Sequence, residues 1–329
     1  MSILTGTLKA LRGVPPINFV ATSLARGVLR LAGAQPEFFV RHLPKVGTVS
    51  AALPGGRRLR FVTRGDDGIP NQIFWRGWTG YEPETVPLFF ELARRSQTTF
   101  DVGAHVGTFS LLAAHANPAG RVFAFEPLPA NFRRLQQNLV LNGLTNVQGI
   151  EAAVSNEMGR ADFFTTDLVT IPDMSSLGRD CVRSSLDGAY ADHAAGTELR
   201  TLTVNVVTLN QVAREHDVTR VDLVKIDAEG RDPQVLEGMS EVLRRDRPHL
   251  IVEVLAAFET GSWIESILEP LGYSFHLLTR DGPRRSEHLK GQPDGHFEWR
   301  NYLCTRLSQE QVGAIWSAAT RTSGPRRPG

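Results

Sequence analysis

The chain has 329 residues, 41% hydrophobic and 22% charged, the balance of a globular protein with room for one large domain or a domain with an extension. Its 36 basic and 35 acidic side chains leave a net charge of +1, too weak a field to gather nucleic acid. Two cysteines, Cys181 and Cys304, make neither a disulfide framework nor a CxxC metal motif, and no run of about eighteen apolar residues predicts a membrane span. With no signal-peptide pattern at the N-terminus, the expected location is the reducing cytoplasm.

In chain order, residues 1–45 read as a helical lead-in broken at Pro15-Pro16 and ended by Pro44. Within it Ile17–Leu31 is mildly amphipathic, with Arg26 and Arg30 on a mostly apolar helix. Packing on the domain is its expected role, and peripheral membrane contact is the alternative. Gly47–Ala52 and Leu59–Thr63, joined by Pro54-Gly55-Gly56, predict a β-hairpin. An aromatic stretch, Gln72–Trp78, leads to the turn Gly80–Pro83, and Pro83 opens a helix to about Arg95. From Thr98 strands and helices alternate: strand Thr98–Val102, helix Thr108–Ala116, strand Arg121–Phe125, helix Ala130–Asn142 and a third strand Val147–Val154. Asp167–Gly196 reads as an irregular, substrate-covering loop. Strand Val221–Ile226 follows, then a helix capped by Asp232 with Pro233 in its first turn, strand His249–Val254 and helix Ser262–Leu271. Ser274–Leu278 and Tyr302–Thr305 predict a final antiparallel pair around a polar loop, Asp281–His296. A helix capped by Ser308 with Gln311 precedes a tail, 321–329, expected to be disordered. Such alternation implies an α/β fold whose mostly parallel sheet is covered on both faces, with its crevice at the carboxyl ends of the strands.

Two stretches carry chemistry. Phe100-Asp101-Val102-Gly103-Ala104-His105-Val106-Gly107 is a strand, a glycine turn and a helix start, the order of a cofactor-binding element. It fails the dinucleotide pattern G-x-G-x-x-G, because position 105 is His and 108 is Thr. Glu126 ends the next strand, 19 positions after Gly107, where a carboxylate can accept both hydroxyls of a ribose. The second stretch, Val224-Lys225-Ile226-Asp227-Ala228-Glu229-Gly230, puts Lys225 and Asp227 on one face at the carboxyl end of a central strand. A charged pair in an apolar strand is either a structural ion pair or a working one. Glu253 adds a carboxylate at the end of the following strand.

The ordered set FDVGAHVGTFSLLAA, VFAFEPLPANFRRLQQNLVLNG, AAVSN, VDLVKIDAEG, VLEGM and RPHLIVEV resembles the FkbM family of methyltransferases. The resemblance covers about residues 80–255, and a weaker part, IFWRGWTGYEPE, begins near 72. It implies a class I, Rossmann-like methyltransferase fold, S-adenosylmethionine as cofactor, and methyl transfer to an oxygen of a sugar, glycolipid or polyketide-type acceptor. By the same resemblance Asp101, Gly103, Ala104 and Gly107 hold the methionine end, Glu126 the ribose, and Glu82 joins the cofactor-binding group. Asp227, Glu229 and Glu253 would face cofactor or acceptor, while Asn142 and Ala153 belong to packing. The chain departs from the family at His105 for Asn, at Arg231-Asp232, and at Asn210 for Asp.

A hydroxyl acceptor needs a base, for which Asp227 is the first candidate, Glu229 the second and His105 the third. A divalent metal on Asp227 is a further route, but no ligand spacing calls for one. The rivals are a nicotinamide-dependent oxidoreductase and a domain that binds S-adenosylmethionine without turnover. The expected division is an N-terminal extension over 1–79, the cofactor-binding domain over 80–320 and the tail.

Overall fold

Three apolar strands, buried along nearly their whole length, form the centre of the molecule: β3 (Thr98–Val102), β4 (Arg121–Phe125) and β10 (Leu223–Ile226). A strand buried on both faces reads as a continuous apolar run, as in Val122-Phe123-Ala124-Phe125, and needs helices above and below it. The structure, a computed structural model, describes residues 13–166, 175–187, 199–255, 260–291 and 301–323.

Around this centre β5 (Val147–Ile150), β11 (His249–Glu253), β12 (Ser274–Leu277), β13 (Arg284–Ser286) and β14 (Asn301–Thr305) complete an eight-stranded sheet. Its order is β13-β12-β14-β11-β10-β3-β4-β5. Neighbours from β11 to β5 pair in parallel, while β14 runs antiparallel between β11 and β12. This is the mostly parallel sheet with a late antiparallel strand expected for the class I fold. The chain reverses direction in the sheet between β3 and β10, so the crevice opens where these two strands end.

The helices α4 (Val86–Ala93), α5 (Thr108–Ala116) and α12 (Gln309–Ser323) share one apolar cluster on one face, with α6 (Pro129–Asn142) contributing Leu135 and Leu139. On the other face lie α8 (Leu209–Glu215), α9 (Asp232–Gly238), α10 (Ser240–Asp246) and α11 (Thr260–Leu268). Asn210, the departure noted above, accepts from the amides of Glu241 and Val242 and so caps α10.

The N-terminal part holds α1 (Pro15–Ala32), α2 (Glu37–His42), the hairpin β1 (Val46–Ala52) and β2 (Arg58–Arg64), and α3 (Gly68–Arg76). Pro15-Pro16 opens α1 rather than breaking a helix, because a proline costs nothing in a first turn. The hairpin is not a free appendage. Val49, Leu59, Phe61 and Ile73 lie in one cluster with Leu88, Phe89 and Leu112. The edge of β2 is closed by α6: Asn138 accepts from the Val62 amide at 2.8 Å and Asn142 from the Arg60 amide at 2.9 Å. Arg134 makes two hydrogen bonds to Asp66, with both side chains under one tenth exposed.

Further expectations are corrected. Val147–Val154 is two strands, because β6 (Ala153–Val154) leaves the main sheet to pair with β9 (Leu199–Val207). With β7 (Gly159–Thr166) and β8 (Ser175–Ser176) it forms a second, four-stranded sheet that the sequence reading missed. The Asp167–Gly196 stretch is not wholly irregular: residues 175–187 hold β8 and helix α7 (Arg179–Asp187), and the rest lies outside the described residues. Asp232 is the first residue of α9 and not its cap, which is Arg231; its carboxylate instead accepts from the Ala228 amide. Of the expected tail, 321–323 continue α12 and 324–329 lie outside the described residues.

Burial pushes the Asp66 carboxyl up, but Arg134 outweighs this and holds it below the ordinary carboxylate value. Its folded value is depressed, so its contribution is complete above the unfolded pKa and is lost as pH falls through the folded one. Arg134→Ala should therefore lower unfolding free energy by about 3–5 kcal/mol at neutral pH, since it strands a buried charge. The deficit should shrink on acidification in urea melts; a loss that is constant with pH would show that the pair does not act through charge.

Candidate active site

The loop from β3 to α5 is bent by three residues of positive φ: Gly103 at 76°, His105 at 51° and Gly107 at 91°. A Cβ on Gly103 would stand 2.0 Å from the Asp227 carbonyl oxygen, so glycine is required there by the close passage of the chain leaving β10. Gly107 serves a different neighbour, since a Cβ there would meet Leu135 of α6 at 3.1 Å. The amides of Gly103 and Ala104 both donate to the Phe125 carbonyl. Glu126 binds the same loop: one carboxylate oxygen accepts from the His105 amide and the other from the Leu128 amide, each at 2.9 Å.

These elements enclose one side of a cavity at the carboxyl ends of β3, β4 and β10. Its wall includes Asp101, Gly103, Ala104, His105, Glu126, Asp227 and Glu229 of the residues singled out from sequence. Gly107, Glu253 and Glu82 do not line it, although Glu82 hydrogen-bonds the side chain of Tyr81, which does. Sequence reasoning passed over Tyr81, Phe109, Asn131, Phe163 and Leu177, which also line it, as does Arg231, noted above only as a departure from the family pattern. Phe163 and Leu177 come from the second sheet and the segment after it, which carry no motif; Tyr81, Phe109 and Asn131 lay in stretches quoted above, and that was the signal available for them.

The floor is electrostatic. Lys225 is 1% exposed, and its ammonium donates to Asp227 Oδ2 at 3.0 Å while lying 4.8 Å from the centre of the Phe109 ring. Burial alone would depress this ammonium, but Asp227, Glu82 and Glu253 outweigh it and hold Lys225 above its ordinary value. Asp101 is the cross-strand partner of Lys225 in the parallel register and accepts from Ser110 at 2.5 Å. Burial pushes its carboxyl up to about 6 against the pull of Ser110 and Lys225. Glu82, held by Asn301 of β14 at 2.8 Å, is raised by burial despite Lys225. Glu126 too is raised by burial, opposed by His105 and by its two amide donors. Asp232, beneath the turn after β10, is pushed up to about 7 by burial and then by Asp227.

A methyltransferase FkbM domain model matches residues 101–304, more than half of the chain. The chain belongs to the FkbM methyltransferase family. It is 28% identical over 197 residues to the methyltransferase sdnD of Sordaria araneosa, covering 55% of this chain and 74% of that one. Identity is also 28% over 203 residues with the 31-O-demethyl-FK506 methyltransferase FkbM of Streptomyces tacrolimicus, covering 58% and 76%. With the hexuronic acid methyltransferase AglP of Haloferax volcanii it is 25% over 178 residues, covering 54% of this chain and 64% of the relative.

The protein is therefore an S-adenosylmethionine-dependent methyltransferase, and the cavity's chemistry suits that cofactor. Glu126 accepts the His105 and Leu128 amides and a hydrogen bond from the Asn131 side chain, and a carboxylate offers about four acceptor positions, which leaves room for a ribose hydroxyl. The carboxylate of Asp101 suits a cationic amino acid end. A pyrophosphate would meet these carboxylates, and the Gly103 and Ala104 amides, the donors a phosphate cradle needs, are spent on the Phe125 carbonyl. That disfavours a nicotinamide dinucleotide by charge as well as by motif.

Gly103→Ala should lose stability on the order of 1–3 kcal/mol through forced backbone strain, and S-adenosylhomocysteine binding should weaken with it. A variant that melts with the parent would contradict the contact between Gly103 and the Asp227 carbonyl.

Proposed function

We propose that the protein methylates a hydroxyl of a sugar, glycolipid or polyketide-type acceptor, with Asp227 as the general base. The observation that carries this reading is the placement of Asp227 at the carboxyl end of β10. Its side chain is 29% exposed on the cavity wall, while its partner Lys225 is buried beneath it. A purely structural ion pair gains nothing from one member reaching the cavity.

S-adenosylmethionine, when bound, supplies a methyl group on a positively charged sulfur, which departs as a neutral thioether when an oxygen displaces it in line. In this reading Glu126 holds the ribose, and Asp101 with the Gly103-Ala104 turn holds the methionine end. Lys225 fixes one oxygen of Asp227, which orients the carboxylate. Asp227 takes the proton of the acceptor hydroxyl and passes it to solvent. Glu229 and His105 stand on the same wall as the second and third proton acceptors. The relatives named for FK506 and hexuronic acid support an oxygen acceptor on a polyketide or saccharide.

Asp227→Asn keeps shape and hydrogen bonding but cannot take a proton. Turnover with labelled methyl donor should fall about a hundredfold or more, while S-adenosylhomocysteine affinity changes little and the loss of stability stays modest, because Glu82 and Glu253 still offset Lys225. A large loss of stability with intact specific activity would return Asp227 to a structural role.

Glu126→Gln should weaken S-adenosylhomocysteine binding by calorimetry roughly tenfold or more, the worth of hydrogen bonds to a charged acceptor. Unchanged affinity in a folded variant would leave Glu126 as a clasp for the turn alone.

A further inference from the structure

Helix α1 is attached to the molecule by the wrong side for an ordinary surface helix. Its buried residues are Asn18, Thr22 and Ala25. Asn18 donates to the Pro44 carbonyl at 2.8 Å and accepts from the Val46 amide at 2.9 Å. Meanwhile Ile17, Val20, Leu24, Val28 and Leu31, spaced by three and four, form an apolar ridge facing away from the domain. Leu24 is 67% and Leu31 92% exposed. Amphipathic helices normally bury such a ridge against the core, and an exposed one marks a surface for something apolar.

Beside the ridge, about a quarter-turn to half-turn around the helix, runs a groove between α1 and the β1–β2 hairpin. Arg26, Arg30, Lys45 and Arg58 line it, and no carboxylate appears among its described residues. Neither Asp nor Glu occurs anywhere in α1. Lys45 lies 5.3 Å from the Phe19 ring and 5.4 Å from the Phe74 ring, and Arg26 lies 4.8 Å over Phe74. Burial and then Arg30 and Arg58 hold the Arg26 guanidinium below its ordinary value, and burial and then Arg26 do the same to Lys45. Like charges are thus held together in a partly desolvated groove, an arrangement that an anion relieves.

We propose that α1 and this groove dock on an anionic phospholipid bilayer. The apolar ridge enters the interface, and Arg26, Arg30 and Arg58 take headgroup phosphates, while the buried Lys45 adds its charge from beneath. A bilayer offers apolar depth and negative charge side by side, the same pairing that this surface presents. Helix α3 contributes Ile69, near its start, to the reaction cavity and Phe74, near its end, to the groove. Docking would therefore hold the cavity one short helix from the membrane.

The test is flotation of the full chain with vesicles of phosphatidylglycerol and phosphatidylcholine in equal parts, against phosphatidylcholine alone. The parent should float with the anionic vesicles at low salt, release at high salt, and stay behind with the neutral ones. Leu24→Glu, on an exposed position, should cut binding at least tenfold with the melting temperature unchanged; Arg30→Gln should cut it about fivefold. Failure of the parent to float at low salt would overturn the proposal, as would flotation of Leu24→Glu equal to the parent's. A parent that is dimeric by light scattering and made monomeric by Leu24→Glu, with no vesicle binding, would assign the ridge to self-association. Thermal stabilisation by inorganic phosphate without flotation would assign the groove to a free anion.

Discussion

The buried ammonium of Lys225 is the interaction on which the rest of the site depends. An isolated cation inside a sheet would shed its proton or unfold the strand, so its surroundings must supply negative charge. They do: Asp227 bonds it directly, Glu82 and Glu253 act at longer range, and Asp101 sits opposite in the next strand. The dependence is mutual. Without that cation, carboxylates from β3, from β11, from the residue after β10 and from the turn before α4 would repel one another around a largely buried site. The lysine thus lets one fold end carry several acids, and those acids suit the cavity to a cationic cofactor and a proton-yielding acceptor.

A second constraint is steric. The chain leaving β10 passes so near the loop after β3 that position 103 admits no side chain. The Asp227 amide donates to the Val102 carbonyl, which ties the end of one strand to the other. The proposed base and the proposed cofactor loop are in this way fixed relative to each other by backbone, not by flexible side chains. In-line transfer depends on such alignment, where small misplacements cost large factors in rate.

Much of this was legible in the sequence. Strands β3 and β4 and helix α5 match their expected limits because doubly buried strands are largely apolar runs with clear punctuation, Gly103 after β3, and Gly120 before and Pro127 after β4. The Asp101–Gly107 and Lys225–Glu229 stretches were conspicuous because charge beside glycine at a strand end has few other uses. The second sheet was not legible: β7 and β9 pair over a long intervening segment, and much of β9 is exposed, so its apolar periodicity is faint. Tyr81, Phe163 and Asn301 reach the site region from elements far apart in the chain, and no spacing links them to the motifs. The amphipathic pattern of α1 was visible, but not which side it turns to the domain. That orientation is decided by Asn18 and its bonds to the chain at Pro44 and Val46.

The most direct test of the account is the unfolding free energy of Lys225→Met measured at neutral and at mildly acidic pH. Removing the cation leaves buried carboxylates whose folded pKa values rise further above their unfolded ones. The folded state then binds more protons than the unfolded chain, so stability should fall as pH rises. The variant should be weaker than the parent by about 3–5 kcal/mol near pH 7, with a clearly smaller deficit near pH 5. A variant as stable as the parent, or equally weakened at both values, would contradict the claim that Lys225 exists to hold these acids together.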